Sequence, residues 1–140
     1  MSVNKIIGSS DEKILQYSDF KVVDSIIVLK FISPIEDVYE NNRSSELIIQ
    51  KINEILDKNP KKSFNWLIDL TTVGKMKNMP SQSRKNYAEL GKDKRIKKIA
   101  VAGGGVVVKT ITNFIVRLTG RMNDFKWFDD TNSALVWLKK

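Results

Sequence analysis

The chain has 140 residues, 41% hydrophobic and 29% charged, with a formal net charge of +8. That length fits one domain, residues 1–140, with a sizeable core, and no apolar run approaches the roughly 18 residues a membrane-crossing helix needs. Cysteine and histidine are both absent, which excludes disulfides, thiolate or imidazole zinc sites, cysteine nucleophiles and the Ser-His-Asp arrangement.

Carboxylate, lysine, tyrosine or hydroxyl chemistry, or an oxygen-ligated Mg²⁺, would survive that exclusion, but no segment holds a complete catalytic constellation. The expectation is a protein that is not an enzyme, with no cofactor and no metal site. Charge is lopsided: residues 1–60 carry 7 basic and 10 acidic side chains, residues 61–140 carry 17 and 6, so the positive field belongs to the second half. Of the 24 basic residues 19 are lysine, a general usage rather than arginine chosen for bidentate phosphate recognition. Met1 to Ser10 has only Ile6-Ile7 as an apolar pair, short of the roughly 7 to 15 residues of a signal sequence, so a cytoplasmic location is expected.

In chain order, Lys13 to Tyr17 and Ser25 to Ile32 read as strands, with Asp19 to Asp24 as the turn of an antiparallel hairpin. Ile48, Ile49, Ile52, Ile55 and Leu56 recur at helical spacing in a long helix beginning near Val38 and stopped by Asn59-Pro60. Phe64 to Leu70 alternates as a strand. Pro80 opens a polar helix from Ser81 to Lys92 that is expected to be largely exposed. Arg95 to Ala102 is the next strand, closed by Gly103-Gly104-Gly105. Ile111, Phe114, Ile115 and Leu118 then mark the inward face of an amphipathic helix ended by Gly120. Phe125 to Phe128 is a short strand, and Asp130 or Thr131 caps a terminal helix that turns Ala134, Leu135 and Leu138 inward. This βαβα alternation predicts an α/β fold with a mostly parallel sheet of four to five strands behind an N-terminal antiparallel hairpin. Strands apolar on both faces need cover on the second face, which the N-terminal segment or a second copy in a homodimer would supply.

Ile68-Asp69-Leu70-Thr71-Thr72-Val73 resembles the Asp-Leu-Ser-x-Val stretch that ends the central strand of STAS domains, the sulfate-transporter and anti-sigma-factor-antagonist superfamily. The nearer likeness is to its SpoIIAA-like, STAS/SEC14-type branch, in Asp69-Leu70, in Arg95 with Ile99-Ala100-Val101, and in Phe128-Asp129 with Ala134, Trp137 and Leu138. The resemblance covers about residues 25–140. It implies a (βα) superhelical sheet, no cofactor and a regulatory or protein-binding role, and the SEC14 part of the label implies a lipid ligand. Phosphorylatable members carry Asp-Ser-Ser-Gly after the strand, where this chain has Gly74-Lys75-Met76-Lys77-Asn78. Ser81 and Ser83 replace that serine by location only.

Two surfaces are candidates for binding. Ligands of open α/β sheets sit beyond the carboxyl ends of the strands, which here collect Asp69, Thr71, Thr72, Gly103, Gly104 and Gly105. The three glycines ahead of a helix would suit an anion or a lipid headgroup, although Val108 stands where a dinucleotide fingerprint or a P-loop needs glycine. The commoner role of such residues is to cap loop amides and turn the chain. The second surface spans Lys75 to Lys98, with nine basic residues against Glu89 and Asp93. Lys75, Met76, Lys77, Met79, Arg84 and Lys85 would form its contact with another protein. A row of stacking aromatics is missing from it, which argues against nucleic acid. Trp66, Trp127 and Trp137 read as core.

Overall fold

A computed structural model of the protein describes residues 11–140; Met1 to Ser10, read above for a signal sequence, lie outside them. Residues 11–15 are helical (α1). They are followed by β1 (Ser18–Val23), β2 (Ile26–Phe31), α2 (Val38–Lys58), β3 (Phe64–Leu70), α3 (Ser81–Gly91), β4 (Ile96–Gly103), α4 (Gly105–Thr119), β5 (Phe125–Phe128) and α5 (Thr131–Leu138). The strands form one sheet in the order β1-β2-β3-β4-β5. β1 and β2 are antiparallel and every later pair is parallel. This is the mixed α/β arrangement expected from the alternation of elements.

The N-terminal hairpin is displaced from its expected position. Lys13 to Tyr17 is not a strand, and Asp19 to Asp24, expected as the turn, supplies most of β1. The turn is the two-residue loop Asp24-Ser25, whose φ angles of 50° and 62° match the twist of the flanking strands. Neither residue is glycine, the usual signal of such a loop, so the turn left little trace in the sequence.

α2, α3 and α4 cover one face of the sheet. Ile48, Ile52 and Leu56 of α2, Ala88 and Leu90 of α3, and Ile111 and Ile115 of α4 pack on Ile27, Leu29, Phe64, Trp66, Ile96 and Ile99. Each large aliphatic side chain taken out of water contributes about 1.5–3 kcal/mol. Asp37 starts α2 by accepting the Glu40 amide at 2.9 Å. α5 lies on the opposite face, where Ala134 and Leu138 meet Ile26, Leu67, Ala100 and Ala102. Its start is fixed by Asp130, which accepts the Ser133 amide at 2.7 Å. The terminal helix therefore supplies cover on the second face. Asn65, opposite an irregularity in the β3–β4 register, accepts the Lys98 amide and donates to the Leu138 carbonyl, tying α5 to the sheet.

α3 is more buried than expected. Ser83, Ala88, Leu90 and Gly91 are all withdrawn from solvent, because α3 packs between α2 and α4. α4 is rotated relative to its expected face. The inward stripe is Val108, Ile111, Thr112 and Ile115, while Phe114 and Leu118 are 48% and 45% exposed. Eight of the 15 residues of α4 are apolar, so two stripes of helical spacing compete and the periodicity alone could not choose between them. Trp66 is core, whereas Trp127 and Trp137 are only half-buried. Among the described residues no helix is long and apolar enough to cross a membrane.

Candidate functional site

Asp69, the last but one residue of β3, stands on the face that carries α5, between Lys30 and Ala102 of the neighbouring strands. It is 7% exposed, and its Oδ1 accepts both the Thr71 amide at 2.9 Å and the Thr71 hydroxyl at 2.6 Å. The carboxylate is thereby engaged by its own chain, which turns sharply after the strand. Thr72 is exposed beyond this turn. The glycine loop is similarly occupied. A Cβ on Gly103 would sit 2.7 Å from the Thr71 nitrogen, and one on Gly104 would overlap the Val108 side chain. Both glycines have φ near +80°, as does Gly105. The carbonyl of Gly103 accepts the Trp127 indole at 2.9 Å, and that of Gly104 accepts the Met76 amide at 3.1 Å. Asp69, Thr71 and the three glycines thus lie together at one edge, where chain packs against chain.

The segment from Lys75 to Lys85 divides between packing and surface. Met76 packs on Leu70, Val101 and Val108, and Met79 packs on the main core. Arg84 donates to the Met79 carbonyl at 3.0 Å and lies 5.8 Å from the Phe114 ring of α4. Lys75, Lys77 and Lys85 are exposed. The Lys75 side chain rests against Gly105, at the start of α4. Further along, Arg95 is committed to Asp93 and Asp57, Lys92 to Glu89, and Lys98 to the Trp137 carbonyl and ring. The hydrogen bonds from Arg95 hold the Asp93 carboxyl below the usual carboxylate range.

The two candidate serines part company. Ser81 is exposed at the start of α3. Ser83 is 0% exposed, its hydroxyl lying 2.7 Å and 2.8 Å from Oδ1 of Asn41 and of Asn42. Its amide also donates to Asn42, and Asn86 donates to Ser45, so a polar seam joins α3 to α2. Ser83 is out of reach of a modifying enzyme in this conformation.

Two features went unread in the sequence. The first is the outer surface of α4, where Val106 is 79% exposed and Phe114 and Leu118 follow along the helix. The surplus of apolar residues in α4 is the signal that could have found it. The second is an apolar cavity of about 70 Å³ between the sheet and helices α2, α3 and α4. Trp66, Ile68 and Val101 form part of its floor, and Val73, Met76 and Met79 contribute from the segment after β3. Trp66 is 1% exposed, and its Nε1 is the one buried side-chain polar atom without a hydrogen-bond partner among the described residues. Leaving such a donor unmatched costs about 1–3 kcal/mol. Among the described residues there is also no cluster of three or more carboxylates that could hold a metal ion.

The model of the SpoIIAA-like family matches residues 35–139, well over half of the chain, and the chain belongs to that family. In three dimensions it is similar to the crystal structure of an uncharacterized protein of the DUF3478 family with a SpoIIAA-like fold, from Shewanella loihica PV-4. The two superpose with a TM-score of 0.58 at 19% identity, over 86% of this chain and 91% of that one, a likeness of fold alone. No curated protein matches the chain.

Proposed function

We propose that this SpoIIAA-like chain is a non-catalytic regulatory module that works by holding another protein, and that its docking surface combines the outer face of α4 with the lysines beside it. The observation that carries this reading is the exposure of Val106, Phe114 and Leu118 on one helix, next to Arg84 and Lys75. Apolar residues rimmed by charge are the usual composition of a docking surface, because the centre supplies desolvation and the rim supplies orientation. The rim here is positive, with Lys75, Lys77 and Lys85 exposed and Lys109 and Arg117 on α4 itself. The partner is therefore an acidic protein surface with an apolar centre of its own. Relative to the expected surface, Met76 and Met79 pass to the interior and α4 takes their place. Ser81, four residues before Lys85 on the exposed side of α3, is where phosphorylation would offset the positive rim.

The edge at Asp69, Thr71, Thr72 and Gly103 to Gly105 is the weaker candidate for a small anion or a lipid headgroup, since its carboxylate and two of its carbonyls are engaged internally. The test is capture of the partner from the protein's own cells by three tagged forms: the native chain, the triple variant Lys75→Glu, Lys77→Glu, Lys85→Glu, and Phe114→Ser. All substituted side chains are exposed or half-exposed, so each form is expected to keep its circular dichroism spectrum. Loss of the same captured protein from both variants supports the reading. Equal capture by all three forms overturns it.

A further inference from the structure

We infer that the cavity behind β3 and β4 is a binding site for a small, neutral, largely apolar molecule carrying one hydrogen-bond-accepting oxygen, to which the Trp66 indole N–H donates. None of the residues that line the cavity is charged, and apart from Trp66 its polar side chains are Ser33, Asn41, Ser44, Tyr87 and Thr112. Asn41 and Thr112 are already engaged, the first with the Ile35 carbonyl and Ser83, the second with the Val108 carbonyl. Burial pushes the Tyr87 phenol above the usual tyrosine range, so the ring adds no charge to the wall. An ionised ligand would lose its hydration without gaining a counter-charge, which selects for a neutral one.

Trp66 then fixes the polarity of the occupant. An indole is a donor only, so its unmatched N–H calls for an acceptor such as a ketone, ester, amide or alcohol oxygen. A water molecule would need two to four polar partners, and the side chains that flank Trp66 on this face of the sheet, Ile68, Ile99 and Val101, offer none. Size sets a limit as well. The volume of about 70 Å³ is roughly half of the ~150 Å³ of an apolar cavity that takes up benzene. A molecule of about four heavy atoms fits; a six-carbon ring or a phospholipid does not. This site shares none of Asp69, Thr71, Thr72 or Gly103 to Gly105, and it lies inside the fold whereas the proposed docking surface lies outside it.

The experiment follows the indole N–H resonances of the full chain by nuclear magnetic resonance during addition of acetone and, separately, of its hydrocarbon isostere 2-methylpropene. Three tryptophans give three such resonances, assigned with Trp127→Phe and Trp137→Phe, both half-buried positions. Acetone is expected to move the Trp66 resonance downfield along a saturating curve, and 2-methylpropene is expected to leave its hydrogen-bond shift unchanged. In Trp66→Phe the ratio of ketone to hydrocarbon affinity is expected to fall about tenfold, a difference of about 1.4 kcal/mol. A Trp66 resonance that acetone does not move, at the highest concentration the folded protein tolerates, overturns the inference. So does an equal displacement by the two compounds. Because the first measurement is made on the native chain, it decides the matter even if Trp66→Phe fails to fold.

Discussion

Arg121 organises more of this molecule than any catalytic-looking residue does. Its side chain is 12% exposed, and the guanidinium donates to the carbonyls of Gly91, Asp93, Ile96 and Lys97 and to the Asp124 carboxylate. One side chain past the end of α4 thereby gathers the loop after α3 and the first residues of β4. Hydrogen bonds from a charged group contribute about 1.5–3 kcal/mol each, but several carbonyls here would find water if released. Replacement by methionine keeps the stem and removes the donors. Arg121→Met is expected to destabilise the fold by about 3 kcal/mol, read as a lower urea midpoint with an unchanged slope. A change below about 0.5 kcal/mol would place these contacts among the surface ion pairs that contribute little. In sequence Arg121 is one of 24 basic residues and nothing distinguishes it; only the folded chain brings carbonyls from 24 to 30 residues earlier to its side chain.

The polar seam between α2 and α3 is the feature of element scale that the sequence concealed. Asn41, Asn42, Ser44 and Ser45 interrupt what would otherwise be an apolar face at the start of α2, and α3 answers with Ser83 and Asn86. Such helices read as exposed because hydrophobic periodicity is the main signal of a buried face. Here burial is achieved with matched donors and acceptors, which periodicity does not register. Ser83→Ala leaves the Asn41 amide oxygen without the hydroxyl donor, while that of Asn42 keeps the Ser83 backbone amide, and it is expected to cost about 2 kcal/mol, against less than about 0.5 kcal/mol for Ser81→Ala at the exposed end of the same helix. Thermal or urea denaturation of the two variants checks the contrast, and equal stabilities would mean that the seam contributes nothing to the fold. The same comparison separates the two serines as sites of modification, since a phosphate on Ser83 would have to face two amide oxygens.

At the scale of the whole molecule, ion pairs join distant parts of the chain. Arg43 of α2 makes a two-pronged contact with Asp11 of α1, at 2.8 Å for each bond, and Arg95 at the start of β4 joins Asp93 to Asp57 at the end of α2. The hydrogen bond from Arg43 holds the Asp11 carboxyl below its ordinary value of 3.8, and Arg95 does the same for Asp93. A carboxyl held low in the folded state stabilises the fold above the pKa of the unfolded chain, and that stability disappears as pH falls through the folded-state value. Stability is therefore expected to be flat between pH 5 and 7 and to decline below about pH 4. In the double variant Asp11→Asn, Asp93→Asn the decline is expected to be shallower, and stability above pH 5 lower, than in the native chain. Urea titrations from pH 7 to pH 2.5 measure both, and parallel curves for the two proteins would mean that other carboxylates govern the acid limb.

The order of elements from β2 onward was readable from the chain alone, because each of those segments carries its own local signal. Phe64 to Leu70 alternates, α2 repeats its isoleucines every three or four residues, Gly120 ends α4 with φ of 71°, and Asp130 caps α5. The SpoIIAA-like family was readable too, since the Asp69-Leu70 strand end and the closing Phe128-Asp129 with Trp137-Leu138 fall in that order. Other features depend on residues far apart in the chain and emerged only with its folding. Which of two apolar stripes of α4 turns inward was settled by packing on β3 and β4, and this left Val106, Phe114 and Leu118 outside. Asp69 and the glycines of the strand edge are near neighbours only once Thr71 and Gly103 meet, with the Thr71 backbone where a side chain on Gly103 would sit. The cavity beside Trp66 is a space between a sheet and three helices, which belongs to no segment and so has no pattern in any of them.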